Sequence, residues 1–248
     1  MTFRHTLLAL CCAAALAACG SQQEGAAQAP ASAQQAAGAG SVSVKTMRGE
    51  AAVPLNPERV AVYDLGALDT LSALGVKIGA APNTLSLTYL QDAVKDAVKA
   101  GTLFEPNYEA LNAYNPQLIV IGSRMAKDKV SDELAKLAPT IDMTAQTDNM
   151  KESAKARIDA YGRIFGKQAE ADALKAEIDK TFADAKAAAQ GKGKGLVILV
   201  NAGKLSAFGP DSRLGGWIHR DIGVPPADEA IKEGSHGQPV SFEYIKEK

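Results

Sequence analysis

Apolar positions in this chain follow two alternating periods. Short runs of aliphatic and β-branched residues are separated by stretches in which apolar residues recur every three or four positions. SVSVKT, starting at Ser41, alternates as a half-buried strand, and MRGEAAV is read as its hairpin partner, with Pro54 and Pro57 breaking the chain after it. RVAVYDL, KIGAAP, QLIVIGSR and TIDMT read as further strands. Between them, GALDTLSALGV carries Leu68, Leu71 and Leu74 on one helical face and ends in Gly75. A helix is expected from Tyr89 to Val98, and NYEALNAYNP is a short helix stopped by Pro116. VSDELAKLAP follows as a helix with Ser131 as N-cap and Leu134 and Leu137 facing inward. MKESAKARIDAYGRIFG is one more helix. Strands alternating with helices predict a mostly parallel sheet with right-handed crossovers.

Residues 168–190 stand apart. They contain no Gly or Pro, are dominated by Ala, Lys, Glu and Asp, and space Leu174, Ile178, Phe182, Ala185 and Ala189 by three and four. At ~1.5 Å per residue this helix is roughly 33 Å long, a strut about as wide as a small domain. Beyond it LVILVNAGK reads as a buried strand, SAF as its short partner and GGWIHRDIGV as a helix ending at Gly223. GKGKG lacks the Ser or Thr of a phosphate loop and precedes a strand, so it reads as a helix end. IHRDIGV resembles LSALGV, and VSFEYIKEK resembles NYEALNAYNP, as weak internal repeats. In the first half YEALNAY runs into Asn115-Pro116 and a strand, whereas its counterpart reaches Lys248 without one. The expectation is an α/β protein of two Rossmann-like lobes joined by a single long helix, the second lobe incomplete through truncation at the C-terminus. Its divisions are a first lobe at 41–167, a linking helix at 168–190 and a partial second lobe at 191–248.

The start of the chain changes the setting. Arg4 precedes an apolar run from Leu7 to Leu16, and Leu16-Ala17-Ala18-Cys19 resembles a bacterial lipobox, so residues 1–18 read as a signal peptide and Cys19 as the acylated first residue. Cys11, Cys12 and Cys19 all fall there, leaving no thiol for disulfide chemistry in the body. Residues 19–40, rich in Ala, Gln, Ser and Gly, read as a disordered tether to a bacterial membrane. Removing residues 1–18 takes Arg4 and no acid from 27 basic and 28 acidic side chains, leaving a formal charge of −2. With aromatics at 5%, this argues against nucleic acid as a partner.

PERVAVYDLGALDTLSALGV, PNYEALNAYNPQLIVIGSR, FGPDSRLGGWIHRDIGV and EGSHGQPVSFEYI, in this order, resemble the periplasmic binding proteins of ABC importers that take up ferric siderophores, most of all the catecholate (enterobactin-type) branch. The resemblance runs from about Ser41 to Lys248. It implies a monomeric lipoprotein with no intrinsic cofactor, whose ligand is an Fe(III)-siderophore and whose partners are an ABC permease and its ATPase.

A ferric tris-catecholate carries a charge of about −3 and a rim of oxygens, which calls for the planar, permanently charged forks of arginine. Arg124, past the strand QLIVIG, and Arg213, in FGPDSRLGG, fit that need. The resemblance makes His236 in EGSHGQP a ligand to iron where a siderophore leaves coordination positions open. It places a Tyr ligand and a further Arg beyond Lys248. Tyr89 is a candidate to line the cleft, whereas Trp217 and His219 read as packing residues. Glu109 and Glu243, equivalent in the repeat, match the family's permease-docking glutamates. Haem, cobalamin or a metal ion are alternative cargoes; two histidines in the body argue against a zinc or manganese site. No nucleophile accompanied by a base is visible, so an enzyme is not expected. A purely structural lipoprotein would have no use for a two-lobed cleft.

Overall fold

The computed structural model describes residues 40–248, apart from 86, 124, 232–236 and the side chain of Asp128. The stretch read as a signal peptide, Cys19 and the expected tether up to residue 39 therefore lie outside the described residues. The described residues belong to one compact unit.

Strands β1 (Ser41–Thr46) and β2 (Gly49–Pro54) form the expected antiparallel hairpin, in register from Ser41↔Pro54 to Thr46↔Gly49. Its alternation buries Val44 and Val53. Next come β3 (Val60–Tyr63), α1 (Leu65–Ala73), β4 (Ala80–Ala81), β5 (Val98–Lys99), α2 (Tyr108–Tyr114), β6 (Leu118–Ile121), α3 (Asp128–Ala135) and β7 (Thr140–Asp142). The five strands from β3 to β7 form a parallel sheet in the order β5-β4-β3-β6-β7. Central strands covered on both faces need an unbroken apolar run. Each of β3 and β6 is wholly buried, Val60, Val62, Leu118 and Val120 facing one core and Ala61, Tyr63, Ile119 and Ile121 the other. The first core is closed by α1, the hairpin and a helix pair introduced below; the second takes Leu111 of α2 and Leu134 of α3.

Two local expectations fail here. The helix read from Tyr89 to Val98 is instead two 3-10 turns, Thr88–Leu90 and Asp92–Val94, followed by β5. Its helical spacing is real, since Leu90, Val94 and Ala97 are all buried. The backbone at its end pairs with the sheet instead, through Val98 N–H to Gly79 O and Ala100 N–H to Ala81 O, both 2.9 Å. Ser131 is no N-cap: α3 starts a turn earlier, its cap residue is Lys127 without a side-chain bond, and Ser131 N–H donates to Lys127 O inside the helix. Met125, in the loop between β6 and α3, is fully buried.

Helices α4 (Met150–Ile164) and α5 (Gln168–Ala189) turn back on each other through Gly166, at φ +61°. A methyl on Gly162 would stand 2.6 Å from Ala171 Cβ, so the two helices meet there at glycine distance. Leu174 and Ile178 continue the contact, and Lys155–Asp179 (2.6 Å) and Lys175–Asp159 (2.8 Å) flank it. Further along the same stripe Phe182 meets Trp217 edge-on at 6.4 Å between ring centres.

The segment beyond α5 departs most from expectation. Strands β8 (Val197–Asn201), β9 (Lys204–Phe208) and β10 (Gln238–Val240) form an antiparallel sheet in the order β10-β9-β8, not a parallel one. The cause is the two-residue turn Ala202-Gly203, with φ of +49° and +75°, a primed hairpin geometry that can only return the chain antiparallel. LVILVNAGK is also not buried: β8 is an edge, and no described element closes over Leu199 and Val200, the latter 66% exposed. Strand β10 had no sequence signal, because Pro239 disguises it; an edge strand tolerates a residue without an N–H. GGWIHRDIGV contains a π-helical turn, Trp217–Asp221, with Ile222 N–H bonded to Trp217 O. Helix α6 (Phe242–Glu247), capped by Ser241, ends the chain.

Candidate functional site

In an open parallel sheet the chain leaves neighbouring strands in opposite directions at one point, and the carboxyl ends of the strands there border a crevice. In the order β5-β4-β3-β6-β7 that point lies between β3 and β6. A pocket of about 60 Å³ opens there, lined by Tyr63, Asp64, Leu65, Leu103 and Ser123, contributed by the ends of β3 and β6 and the loop after β5.

Asp64 braces this pocket. Its Oδ1 accepts the Ala67 N–H at 2.8 Å, capping α1, and the Arg157 Nη2 at 2.6 Å, tying β3 to α4. The two side chains are 21% and 15% exposed. A Cβ on Gly122 would lie 2.1 Å from Asp64 Oδ2, so the strand end facing it has room only for glycine. Burial opposes the Arg157 charge, yet neighbouring Tyr161 and Asp64 outweigh it and raise its pKa. Tyr161 is fully enclosed, and burial holds its hydroxyl protonated well above the ordinary range. Tyr63 is raised by burial and then by Tyr108; its hydroxyl donates to Ala100 O at 2.5 Å, fastening β3 to the end of β5.

The loop after β5 is tightly made. Gly101, at φ +99°, bridges to Pro106, and a Cβ there would be 2.4 Å from Glu105 O. Thr102 N–H donates to Glu105 O (2.8 Å), while Thr102 Oγ1 accepts from Phe104 N–H (3.1 Å) and Glu105 N–H (3.0 Å). Asn83, after β4, bonds Gly101 through both its backbone and its side chain. Sequence reading missed this loop and Asp64. Both are signalled only as the residues immediately following predicted strands.

The residues singled out from sequence are distributed as follows. Arg124 and His236 lie outside the described residues; Ser123 and Met125, which flank Arg124, are respectively a pocket residue and a buried core residue. Arg213 is exposed on the loop after β9, which Ser212 shapes by donating to Gly209 O and accepting from Gly215 N–H. Tyr89 is 65% exposed on its 3-10 turn after β4. Glu109 and Glu243 are both exposed and both stand two residues after a capping side chain, Asn107 and Ser241. His219 is buried with Nδ1 2.8 Å from Val224 O, and Trp217 packs on Phe182. A second cavity, of about 260 Å³, lies between the β1–β2 turn and α4, but its Arg157, Arg163, Asp142 and Asp159 already have protein partners.

Residues 60–248 match the periplasmic binding protein family. Over 197 residues, 78% of this chain, the sequence is 41% identical to the petrobactin-binding protein YclQ of Bacillus subtilis, and over 206 residues, 80% of it, 32% identical to the ferric-anguibactin-binding protein FatB of Vibrio anguillarum. It spans 61% and 63% of the lengths of these two relatives. The crystal structure of YclQ superposes with a TM-score of 0.77 at 38% identity, covering 84% of this chain and 74% of that one. That of the catecholate-siderophore binding protein VctP from Vibrio cholerae superposes with a TM-score of 0.76 at 32% identity, covering 84% and 75%. With the family match spanning most of its length and the parallel sheet, switch-point crevice and long helix in place, this chain belongs to the periplasmic binding protein family.

Proposed function

We propose that this chain is the binding component of an ABC importer for iron, capturing a ferric siderophore of the catecholate class without transforming it. The observation that carries the reading is the 41% identity to a petrobactin-binding protein, extending across the strands and loops that build the switch-point crevice. The likeness to a catecholate-siderophore binding protein supports the ligand class. In this reading Arg124 and Arg213 provide the positive forks for the anionic complex, Tyr89 lines its rim, and His236 occupies iron positions that a tetradentate siderophore leaves open. Glu109 and Glu243, exposed beside equivalent caps, orient docking on the permease, in the manner of rim charges that guide encounter more than they hold it. Cys19 anchors the protein to a bacterial membrane on its periplasmic side. The chain needs no cofactor of its own and works as a monomer.

Fluorescence titration tests the reading, because the single tryptophan, Trp217, packs on α5. Ferric tris-catecholate should quench it at micromolar concentration or below, and a ferric hydroxamate, with less negative charge, should bind more weakly. Equal affinity for both sinks the charge argument; binding of neither sinks the function.

A further inference from the structure

The loop after β9 is closed on itself. Ser212 bonds Gly209 O through both its backbone N–H and its hydroxyl and receives the Gly215 N–H, while Gly216 N–H returns to Ser212 O at 2.8 Å. A Cβ on Gly215 would stand 2.2 Å from Gly209 O, so the turn closes at a distance only glycine permits. This closure leaves Arg213 exposed and outside every ion pair among the described residues. Bonds within a loop fix its shape, however, and not its place. Its place is set by Arg220. From the π-helical turn Trp217–Asp221 the Arg220 guanidinium lies against the loop, where a Cβ on Gly216 would come within 2.7 Å of Nη2, and Nη1 is 3.7 Å from Asp211. Nη2 also donates to the backbone carbonyl of Asp148, 72 residues earlier, in the segment between β7 and α4. That segment leaves β7 at its carboxyl end, the side of the parallel sheet on which the crevice opens. The Asp211 pair is exposed and contributes little by itself. What the planar fork supplies is a join, since its separate N–H groups serve the loop and the sheet side at once.

We propose that Arg220 is a positioning residue for ligand capture, tying the loop that carries Arg213 to the carboxyl-end side of the parallel sheet and so holding the Arg213 fork where an anionic ferric complex meets it. The inference rests on the siderophore reading above and adds to it a residue that acts through Arg213 without touching the ligand. A cation held in place before binding loses little freedom when it binds, so loosening the tie weakens capture even though Arg213 itself is intact.

A double-mutant cycle by isothermal titration calorimetry of the full chain tests it, with the iron(III) complex of a tripodal tris-catecholate as probe. Arg220→Ala should bind about fivefold more weakly than wild type, a coupling usual for residues that share a network, yet should add no further loss to Arg213→Ala. Gly216→Ala displaces the guanidinium without deleting its charge, at a position whose φ of −57° alanine adopts freely, and should weaken binding in the same direction. Hydrogen exchange of the ligand-free chain reads the tie itself: the Gly215 and Gly216 amides should exchange faster in Arg220→Ala. Equal losses from Arg220→Ala with and without Arg213 would mean that Arg220 attracts the anion directly or acts on the whole fold, and would overturn the proposal. Wild-type affinity in Arg220→Ala, or unchanged exchange at Gly215 and Gly216, would overturn it too. Absence of any binding by the wild-type chain would defeat the siderophore reading itself, and the role assigned to Arg220 with it, whatever the exchange shows.

Discussion

Replacing Asp64 by alanine should be the most damaging single change among the polar residues of the crevice. The substitution removes the acceptor that caps α1, a loss of ~1 kcal/mol in comparable helices. It also strands the guanidinium of Arg157, whose one carboxylate partner among the described residues is Asp64, at 2.6 Å. Stranding a fully buried charge costs ~3–5 kcal/mol; with roughly a sixth to a fifth of each side chain exposed, water offsets part of this, and about 2 kcal/mol is expected. The total, about 3 kcal/mol, is a large fraction of the ~5–15 kcal/mol that holds a domain together and corresponds to a fall in melting temperature of about 10 °C. Asp64→Asn keeps the capping oxygen and should lose only the charge part. Combining Asp64→Ala with Arg157→Met removes the orphaned charge, so the double variant should recover to within about 1–2 kcal/mol of wild type. Urea denaturation followed by circular dichroism measures all of these. A loss below about 0.5 kcal/mol for Asp64→Ala, or a double variant as unstable as the sum of the singles, would show that the pair is a surface ion pair and not a brace.

Two further outcomes follow from local geometry. Ala202 holds φ +49° at the first position of the β8–β9 turn, a conformation glycine adopts without strain, so Ala202→Gly should raise stability by about 1 kcal/mol; a thermal midpoint that does not rise would contradict the turn assignment. Asp228 receives Lys248 Nζ at 2.8 Å, Tyr244 hydroxyl at 2.7 Å and Ala230 N–H at 2.8 Å, and these hold its pKa down at about 2. Because the folded-state pKa lies below the unfolded one, the attachment of α6 should be complete above about pH 4 and weaken as pH falls through about 2. Tyrosine resonances of Tyr244 should report that loss, and Asp228→Asn should abolish the pH dependence; an unaltered profile in the variant would refute the assignment.

Some of this molecule was determined by sequence alone because the cause is local. Helix α5 needs only its composition and the spacing of Leu174, Ile178 and Phe182, and its ends are set by glycines that reach positive φ. The wholly apolar runs of β3 and β6 declare strands covered on both faces, and strand–helix alternation declares the parallel sheet. Family membership was legible for the same reason, from motifs lying in order along the chain. Other features were decided only in three dimensions. The spacing of Leu90 and Val94 is helical, yet pairing with β4 captures the backbone beyond them, because a sheet edge competes for the same N–H groups. The β8–β9 turn was hidden because alanine, not asparagine or glycine, occupies its first left-handed position. The brace joins Asp64 to Arg157 across 93 residues, and the crevice joins residues 63 and 123. No periodicity records such pairs, because they exist only when separate elements converge at the carboxyl ends of one sheet, where the strand order reverses.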